Sequence, residues 1–270
     1  MGVMLHQSPK TPVDADVLFQ GMCDAAREAG RKALSWFEPG AATRAAISYK
    51  GGYSPVSAAD LEVDRYLQRA LRELLPQAGW LSEETPDDGS RLTARETFII
   101  DPIDGTGGFI RGEREWCVSI ALVRDGVPVM AVIEAPALGE TFTALAGAGA
   151  WLNNALISVA PEVAGAPLRL NGPIRLAGLS GLPTIILCPK APSLAYRLMM
   201  VAVGRLDGVI ASPNAHDWDI AAADLVVREA GGVLHDHRGN TVRYDRQELR
   251  HKELFAGRPP LVQALRQAWG

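Results

Sequence analysis

Small or apolar side chains return every three or four positions from Asp14 to Phe37, at Leu18, Met22, Ala25, Ala29, Ala33 and Trp36. That period predicts an amphipathic helix, stopped by Pro39-Gly40. A stretch of mixed character follows, with Gly51-Gly52 in a loop. A second helix is expected after Ser57, running to about Leu75 with Leu61, Leu67, Leu71 and Leu74 on its inner side. Ser57-x-x-Asp60 has capping-box spacing at its start. Thr85 to Arg95 is polar, contains Pro86 and Gly89, and reads as a mobile surface loop.

The period then shortens to two. Thr97-Phe98-Ile99-Ile100 is a β-type run that stops at Asp101-Pro102-Ile103-Asp104-Gly105-Thr106. Cys117–Val123, Val127–Glu134 and Glu140–Leu145 alternate, and Asp125-Gly126 is a hairpin signal, so an antiparallel meander is expected. Ala160–Pro183 is rich in Gly, Pro and small residues and reads as a region between two halves. Ser193 is expected to cap a helix to about Val203, and Leu206–Ala211 to form a short strand. A helix opened by Asp217 or Asp219 closes at Gly231-Gly232, and short strands and a helix from Pro260 complete the chain. The first 12 residues read as a disordered arm.

Composition narrows the function classes. With 47% hydrophobic and 21% charged residues in 270, the chain is neither disordered nor fibrous. The net charge of −4 argues against binding a nucleic-acid polymer, which wants a basic face, but leaves room for a local phosphate site. Cys23, Cys117 and Cys188 have no CxxC spacing, so they form neither a zinc cage nor a disulfide framework, and the odd count fits a reducing compartment. Any metal must be held by oxygen. No apolar run approaches the ~20 residues of a bilayer span, and Met1–Pro12 lacks the apolar segment of a signal peptide. A cytoplasmic protein without a transmembrane segment is the expectation.

The chemistry-bearing residues stand where β-runs end and helices begin. Glu83-Glu84 follow Trp80-Leu81, Asp101 and Asp104 flank Pro102, and Asp219 opens a helix beside Asp217. Acids gathered at such positions repel and call for bound cations or shifted pKa values. Hard oxygen donors without His or Cys suit Mg²⁺. Pro102 fixes φ and is expected to turn the chain sharply so that both aspartates point to one side, with the Ile103 carbonyl between them. Gly105-Thr106 offers backbone N–H groups to phosphate oxygens, and the Thr106 hydroxyl a hold on water. Each piece also has a plain reading: a turn for Asp101–Asp104, a solvated loop for Glu83-Glu84, a cap for Asp60, a first-turn acid for Asp219. Lys50 near a phosphate is attractive but by default a surface lysine, and His235-x-His237 reads as a surface strand and turn.

Taken together, Trp80-Leu81-Ser82-Glu83-Glu84, Asp101-Pro102-Ile103-Asp104-Gly105-Thr106 with Phe109, Asp217-Trp218-Asp219 with Ala221-Ala222, and Glu229-Ala230-Gly231-Gly232 resemble the inositol monophosphatase family. Leu-Ser-Glu-Glu and Ser-Pro-Val-Ser-Ala-Ala-Asp are most similar to the bacterial CysQ-type 3′(2′),5′-bisphosphate nucleotidases. The resemblance implies a layered α/β/α/β/α sandwich, an α+β half over residues 13–148 carrying most metal ligands and an α/β half over 149–270 completing the site. It implies Mg²⁺ as cofactor, two or three ions per site, and inhibition by lithium. By position it makes Glu83 a metal ligand that helps activate water, Asp101 a bridge between metals, the Ile103 carbonyl part of one shell, and Asp104 and Asp219 holders of the second metal. Thr106, hydrogen-bonded to Asp60, would orient the attacking water, and the Gly105 and Thr106 N–H groups would bind phosphate. Departures from the family pattern are Gly107-Gly108, Asn153-Asn154 where Asn-Gly is usual, and the poorly matching Ala155–Pro189.

The expected activity is therefore hydrolysis of a small phosphomonoester without a covalent phosphoenzyme, on 3′-phosphoadenosine 5′-phosphate first and myo-inositol 1-phosphate second. Histidinol phosphate and fructose 1,6-bisphosphate are further substrates by analogy, and a homodimer is left open. Two rivals differ in kind. A haloacid-dehalogenase-type phosphatase wants its acids as D-x-D, whereas Asp101 and Asp104 form D-x-x-D. A non-catalytic relative that only binds a phosphorylated metabolite is opposed by the full set of acids with Thr106.

Overall fold

The computed structural model describes residues 14–50 and 54–270, so the expected arm at 1–12 and Gly51-Gly52 fall outside the described residues. Asp14 caps α1 (Ala15–Leu34), whose predicted stripe is buried at Leu18, Met22, Ala25, Ala29 and Ala33. A hairpin of β1 (Ile47–Lys50) and β2 (Ser54–Ser57) leads into α2 (Ala58–Leu74). Then come β3 (Gly79–Ser82), β4 (Glu96–Asp104), a short α3 (Thr106–Ile110), β5 (Cys117–Arg124), β6 (Val127–Ala135), β7 (Glu140–Leu145), β8 (Gly149–Leu152) and β9 (Ala155–Leu156). These seven strands, β3 to β9, form one sheet in chain order, with β3 and β4 parallel and every later pair antiparallel.

The meander is as the alternation predicts, because successive side chains leave opposite faces of a strand. Phe98, Ile100, Val118, Ile120, Leu122 and Val132 share a core with α1 and α2. Ile99, Cys117, Ala121, Val123, Ala131 and Ile133 belong to a second core on the other face. That second core also takes α4 (Leu194–Ala202) and α5 (Asp217–Glu229).

Beyond α4 and α5 lies a five-stranded sheet of β10 (Leu168–Asn171), β11 (Ile185–Leu187), β12 (Gly208–Ala211), β13 (Val233–Asp236) and β14 (Leu254–Gly257), in the order β11-β10-β12-β14-β13. α6 (Pro259–Trp269) closes its outer face over Leu168, Leu170, Ile210 and Phe255. The layers therefore run helices, sheet, helices, sheet, helix, the expected α/β/α/β/α sandwich.

Several expectations change. The first sheet runs on past residue 148, because β8 pairs onto β7 and β9 onto β8. Asn153 and Asn154 join those two strands with φ of 48° and 67°, and Asn tolerates the left-handed conformation such a two-residue hairpin needs. Ala160–Pro183 is more than a connection, since β10 within it bonds to both β11 and β12. Thr85–Arg95 is anchored: it contains a 3₁₀ turn at Ser90–Thr93 with Arg91 buried. Among the described residues no helix is long and apolar enough to cross a membrane.

Candidate active site

β4 does not end at Asp101. It continues to Asp104 through a bulge: Asp101 faces Ser119 and Asp104 faces Cys117, three steps on β4 against two on β5. Residues three apart on a regular strand face opposite ways. The extra residue restores the phase, so Asp101 and Asp104 both lie on the middle-layer side while Ile103 packs among the residues beside α1 and α2. Pro102, which lacks an N–H, sits in the bulge where no ladder bond is required. The two aspartates thus share a side as expected, but a bulge and not a sharp proline turn is the cause.

The two helix-borne acids arrive by a different route. Asp60 is the third residue of α2, and its Oδ2 accepts from the N–H (2.8 Å) and hydroxyl (2.6 Å) of Ser57. Asp219 is the third residue of α5, and its Oδ2 accepts from the His216 N–H at 2.7 Å. Both stand at positive helix ends, where a carboxylate is favoured. Asp60 keeps Oδ1 for the Thr106 hydroxyl, at 3.0 Å, and that hydroxyl also lies 2.9 Å from the Ile103 carbonyl.

Gly105 caps α3 with φ of +91°. A Cβ there would also lie 2.9 Å from the Ser193 nitrogen, so both conformation and space require glycine. Gly108 is likewise dictated, because a side chain at that position would overlap Pro192. The first amides of α3 have no acceptor within the helix.

Across this junction Asp104 reaches the start of α4, where its Oδ2 accepts from the Ser193 hydroxyl and the Ala195 N–H, both at 2.6 Å. Asp101, Asp104 and Asp219 each bring one carboxylate oxygen within 4.8 Å of the others, the sole such grouping of His, Cys, Asp or Glu among the described residues. Opposite ligands on one Mg²⁺ span about 4 Å, so this all-oxygen, largely buried set fits a hard divalent cation. Glu83 lies outside that grouping, yet among neighbouring charges it acts most strongly on Asp101. The His235/His237 pair takes no part in it. Lys50 falls at the edge of the described residues, and its side chain is outside them.

Burial raises the carboxyl pKa of all four aspartates. Asp101 is pushed well above the usual range by burial, then by the charges of Glu83, Asp104 and Asp219. Asp219 is also pushed well above the usual range, by burial first and then by the charge of Asp104. For Asp104 burial is countered by the Ser193 and Ala195 hydrogen bonds and the Arg197 guanidinium, and for Asp60 by Ser57 and Thr106. Hydrogen bonds to the charged form explain the smaller rise.

Sequence reasoning saw Ser193 as a cap but not as a partner of Asp104, and it left Arg197, His216 and His251 unmarked. Arg197 is buried with its Nη1 3.3 Å from Asn171 Oδ1. The His216 and Trp218 rings stack at 4.6 Å. Asp217 turns away from the acids to His251, with Oδ1 2.6 Å from Nε2. No local pattern announces the Asp104–Ser193, Asn171–Arg197 and Asp217–His251 contacts, which join residues 26 to 89 positions apart. A cavity of about 450 Å³ opens beside Glu83 and Trp218, walled by Val56, Leu61, Thr85 and Leu249, a volume suited to a small molecule. A second hollow, about 470 Å³ between Ala160–Arg169 and α6, contains none of these acids.

The likeness to known proteins agrees with this geometry. Over 267 residues the chain is 31% identical to an inositol monophosphatase of Dictyostelium discoideum, covering 94% of this chain and 95% of that one. It is 29% identical over 250 residues to the 3′(2′),5′-bisphosphate nucleotidase CysQ of Aggregatibacter actinomycetemcomitans, covering 88% and 91%. The crystal structure of the extragenic suppressor protein suhB from Bartonella henselae matches with a TM-score of 0.79 at 29% identity, covering 93% and 98%. Residues 14–267 match the inositol monophosphatase family as a whole. The chain belongs to that family of metal-dependent phosphatases and is a phosphoric monoester hydrolase.

Proposed function

We propose that the chain hydrolyses a 3′(2′),5′-bisphosphate nucleotide, 3′-phosphoadenosine 5′-phosphate to AMP and phosphate, with Mg²⁺ as cofactor. The observation that carries the hydrolytic reading is the convergence of Asp101, Asp104 and Asp219 beside the Thr106–Asp60 pair. The substrate reading is supported by the Leu-Ser-Glu-Glu and Ser-Pro-Val-Ser-Ala-Ala-Asp strings and by the CysQ relative.

Asp101, Asp104, Asp219 and Glu83, with the Ile103 carbonyl, would hold the cations. Cations bound there supply a lowered water pKa and offset charge on the phosphoryl oxygens. The Thr106 hydroxyl has one proton and two acceptors in reach, Asp60 Oδ1 and the Ile103 carbonyl. When the hydroxyl donates to Asp60, its lone pairs are free to accept from the attacking water. The raised pKa of Asp60, caused by burial, makes its Oδ1 a better seat for a proton. The amides of Gly105 and Thr106 receive phosphate oxygens at the start of α3.

A second reading, myo-inositol 1-phosphate as substrate, is favoured by the Dictyostelium relative. The deciding experiment is kcat/KM on both esters with Mg²⁺. The bisphosphate nucleotide is expected to be preferred; the reverse preference assigns the inositol ester.

A further inference from the structure

Two segments that carry site acids are far apart in sequence, and a second set of contacts joins them. The Glu83 segment is pinned by Ser82 and Thr85, whose hydroxyls both donate to Asp64 of α2. Four residues beyond Glu83, Asp87 accepts from Arg91 Nε at 3.0 Å. The Arg91 side chain is 2% exposed, and its Nη2 donates to the Arg246 carbonyl at 2.9 Å. Arg246 Nη2 in turn lies 3.3 Å from the His251 ring and 3.9 Å from Asp217 Oδ1. His251 Nε2 and Asp217 Oδ1 are 2.6 Å apart, both groups buried.

The main chain repeats the connection. Asp217 N–H donates to the Leu249 carbonyl, His251 N–H to the Ala215 carbonyl, and Asn214 N–H to the His251 carbonyl. The 249–251 segment therefore fastens residues 214–217, the entry to α5, and Asp219 is in the first turn that follows. None of these residues belongs to the grouping of Asp101, Asp104 and Asp219.

We infer that Arg91 and His251 are positioning residues: through Asp87, Arg246 and Asp217 they hold the Glu83 segment and the start of α5 at a fixed separation, so that mutually repelling carboxylates meet a divalent cation already in register. The physical need is clear, because buried acids this close push one another apart unless a framework restrains them. Contacts that orient ligands from behind typically change metal affinity about 10- to 100-fold. The inference rests on the reading of Glu83 and Asp219 as metal ligands.

The test measures Mg²⁺ binding by calorimetry, Mn²⁺ binding by electron paramagnetic resonance, and phosphate release against Mg²⁺ concentration. His251→Ala and Arg91→Met are each expected to weaken cation binding about tenfold, with hydrolysis recovered as Mg²⁺ is raised. His251→Gln, which keeps a donor for Asp217, should restore most of the affinity. The double variant should lose less than the product of the single losses, since both residues act in one chain of contacts. A lowered Tm with unchanged cation affinity in the correctly folded fraction overturns the inference and leaves a purely structural network. Asp104→Asn is the control: if it binds cations as well as the unaltered chain, the metal-site reading itself has failed.

Discussion

The candidate site has two banks, one carried by a strand and one by helices, and they are built on different rules. Asp101 and Asp104 come from β4, and their shared direction depends on how β4 is registered against β5. Asp60 and Asp219 come from the first turns of α2 and α5, where each carboxylate bonds back to the N–H just before its own helix. The helix bank is set by residues three positions away, the strand bank by a partner strand and by α4. A site assembled this way takes orientation from local caps and separation from tertiary register.

The largest effect should come from the residue that joins the strand bank to α4. Asp104→Asn is expected to abolish Mg²⁺-dependent phosphate release, a loss of well over 100-fold, beyond what an outlying partner costs. The amide oxygen can still accept from Ser193 or Ala195, so circular dichroism and Tm should report an intact fold. An unchanged rate would remove Asp104 from the site.

Thr106→Ala probes the place where the banks touch, since its hydroxyl reaches both Asp60 and the Ile103 carbonyl. Loss of a group that orients the attacking water should lower kcat by about 100-fold, with Thr106→Ser restoring most of it. A change confined to KM would recast Thr106 as a substrate contact only.

Protonation cuts across the two banks. Asp101 and Asp219 are raised most, Asp60 and Asp104 less, so hydrogen-bond partners and not the type of element set the order. Asp224, under the Tyr244 hydroxyl at 3.0 Å, is pushed to about 6 by burial. A carboxyl raised in the folded state contributes stability below the ordinary carboxylate range and loses it as pH rises through the folded value. Without divalent cations, Tm should therefore fall from pH 5 toward pH 8. Cation binding needs the ionised acids, so a fixed Mg²⁺ concentration of 100 times its Kd at pH 8 should raise Tm by roughly 5–10 °C at pH 8 and by less at pH 5. An equal gain at both values in a thermal-shift titration would separate the raised acids from the cations.

The smallest effect separates bulge from proline. Pro102→Ala should cost about 0.4–1 kcal/mol of stability, mainly through a freer unfolded chain, and leave hydrolysis within about twofold, because the register of β4 on β5 persists. A collapse of activity would return the directing role to the proline ring.

Much of the fold was legible because its signals are local or periodic. The stripe Leu18–Met22–Ala29–Ala33 gave α1, the alternation of Cys117–Val123 gave β5, and Ser57-x-x-Asp60 gave both the start of α2 and the hold on Asp60. The DPIDGT string identified the right residues for an incomplete reason, since a bulge exists only relative to a partner strand. β10 escaped notice because four residues inside a Gly- and Pro-rich stretch carry no period of their own; pairing with β11 and β12 makes them a strand. Ser193 and His251 were invisible as site neighbours because their partners lie 89 and 34 residues away.

The middle layer bears on cation size. Ala121, Ala131, Ala144 and Ala150 on the first sheet, and Ala221, Ala222 and Ala223 on α5, are all fully buried in one core. Interiors at crystal density have little room to absorb an added methyl group, so these alanines act as shims that fix how deep α5 beds against the strands. That depth is also the gap between Asp219 and the pair on β4. Thickening one shim, by a change such as Ala222→Val, should widen the gap. Calorimetric titration of that variant with both ions should then show preference moved from Mg²⁺, which takes oxygens at about 2.0–2.1 Å, toward Ca²⁺, which takes them at about 2.3–2.6 Å.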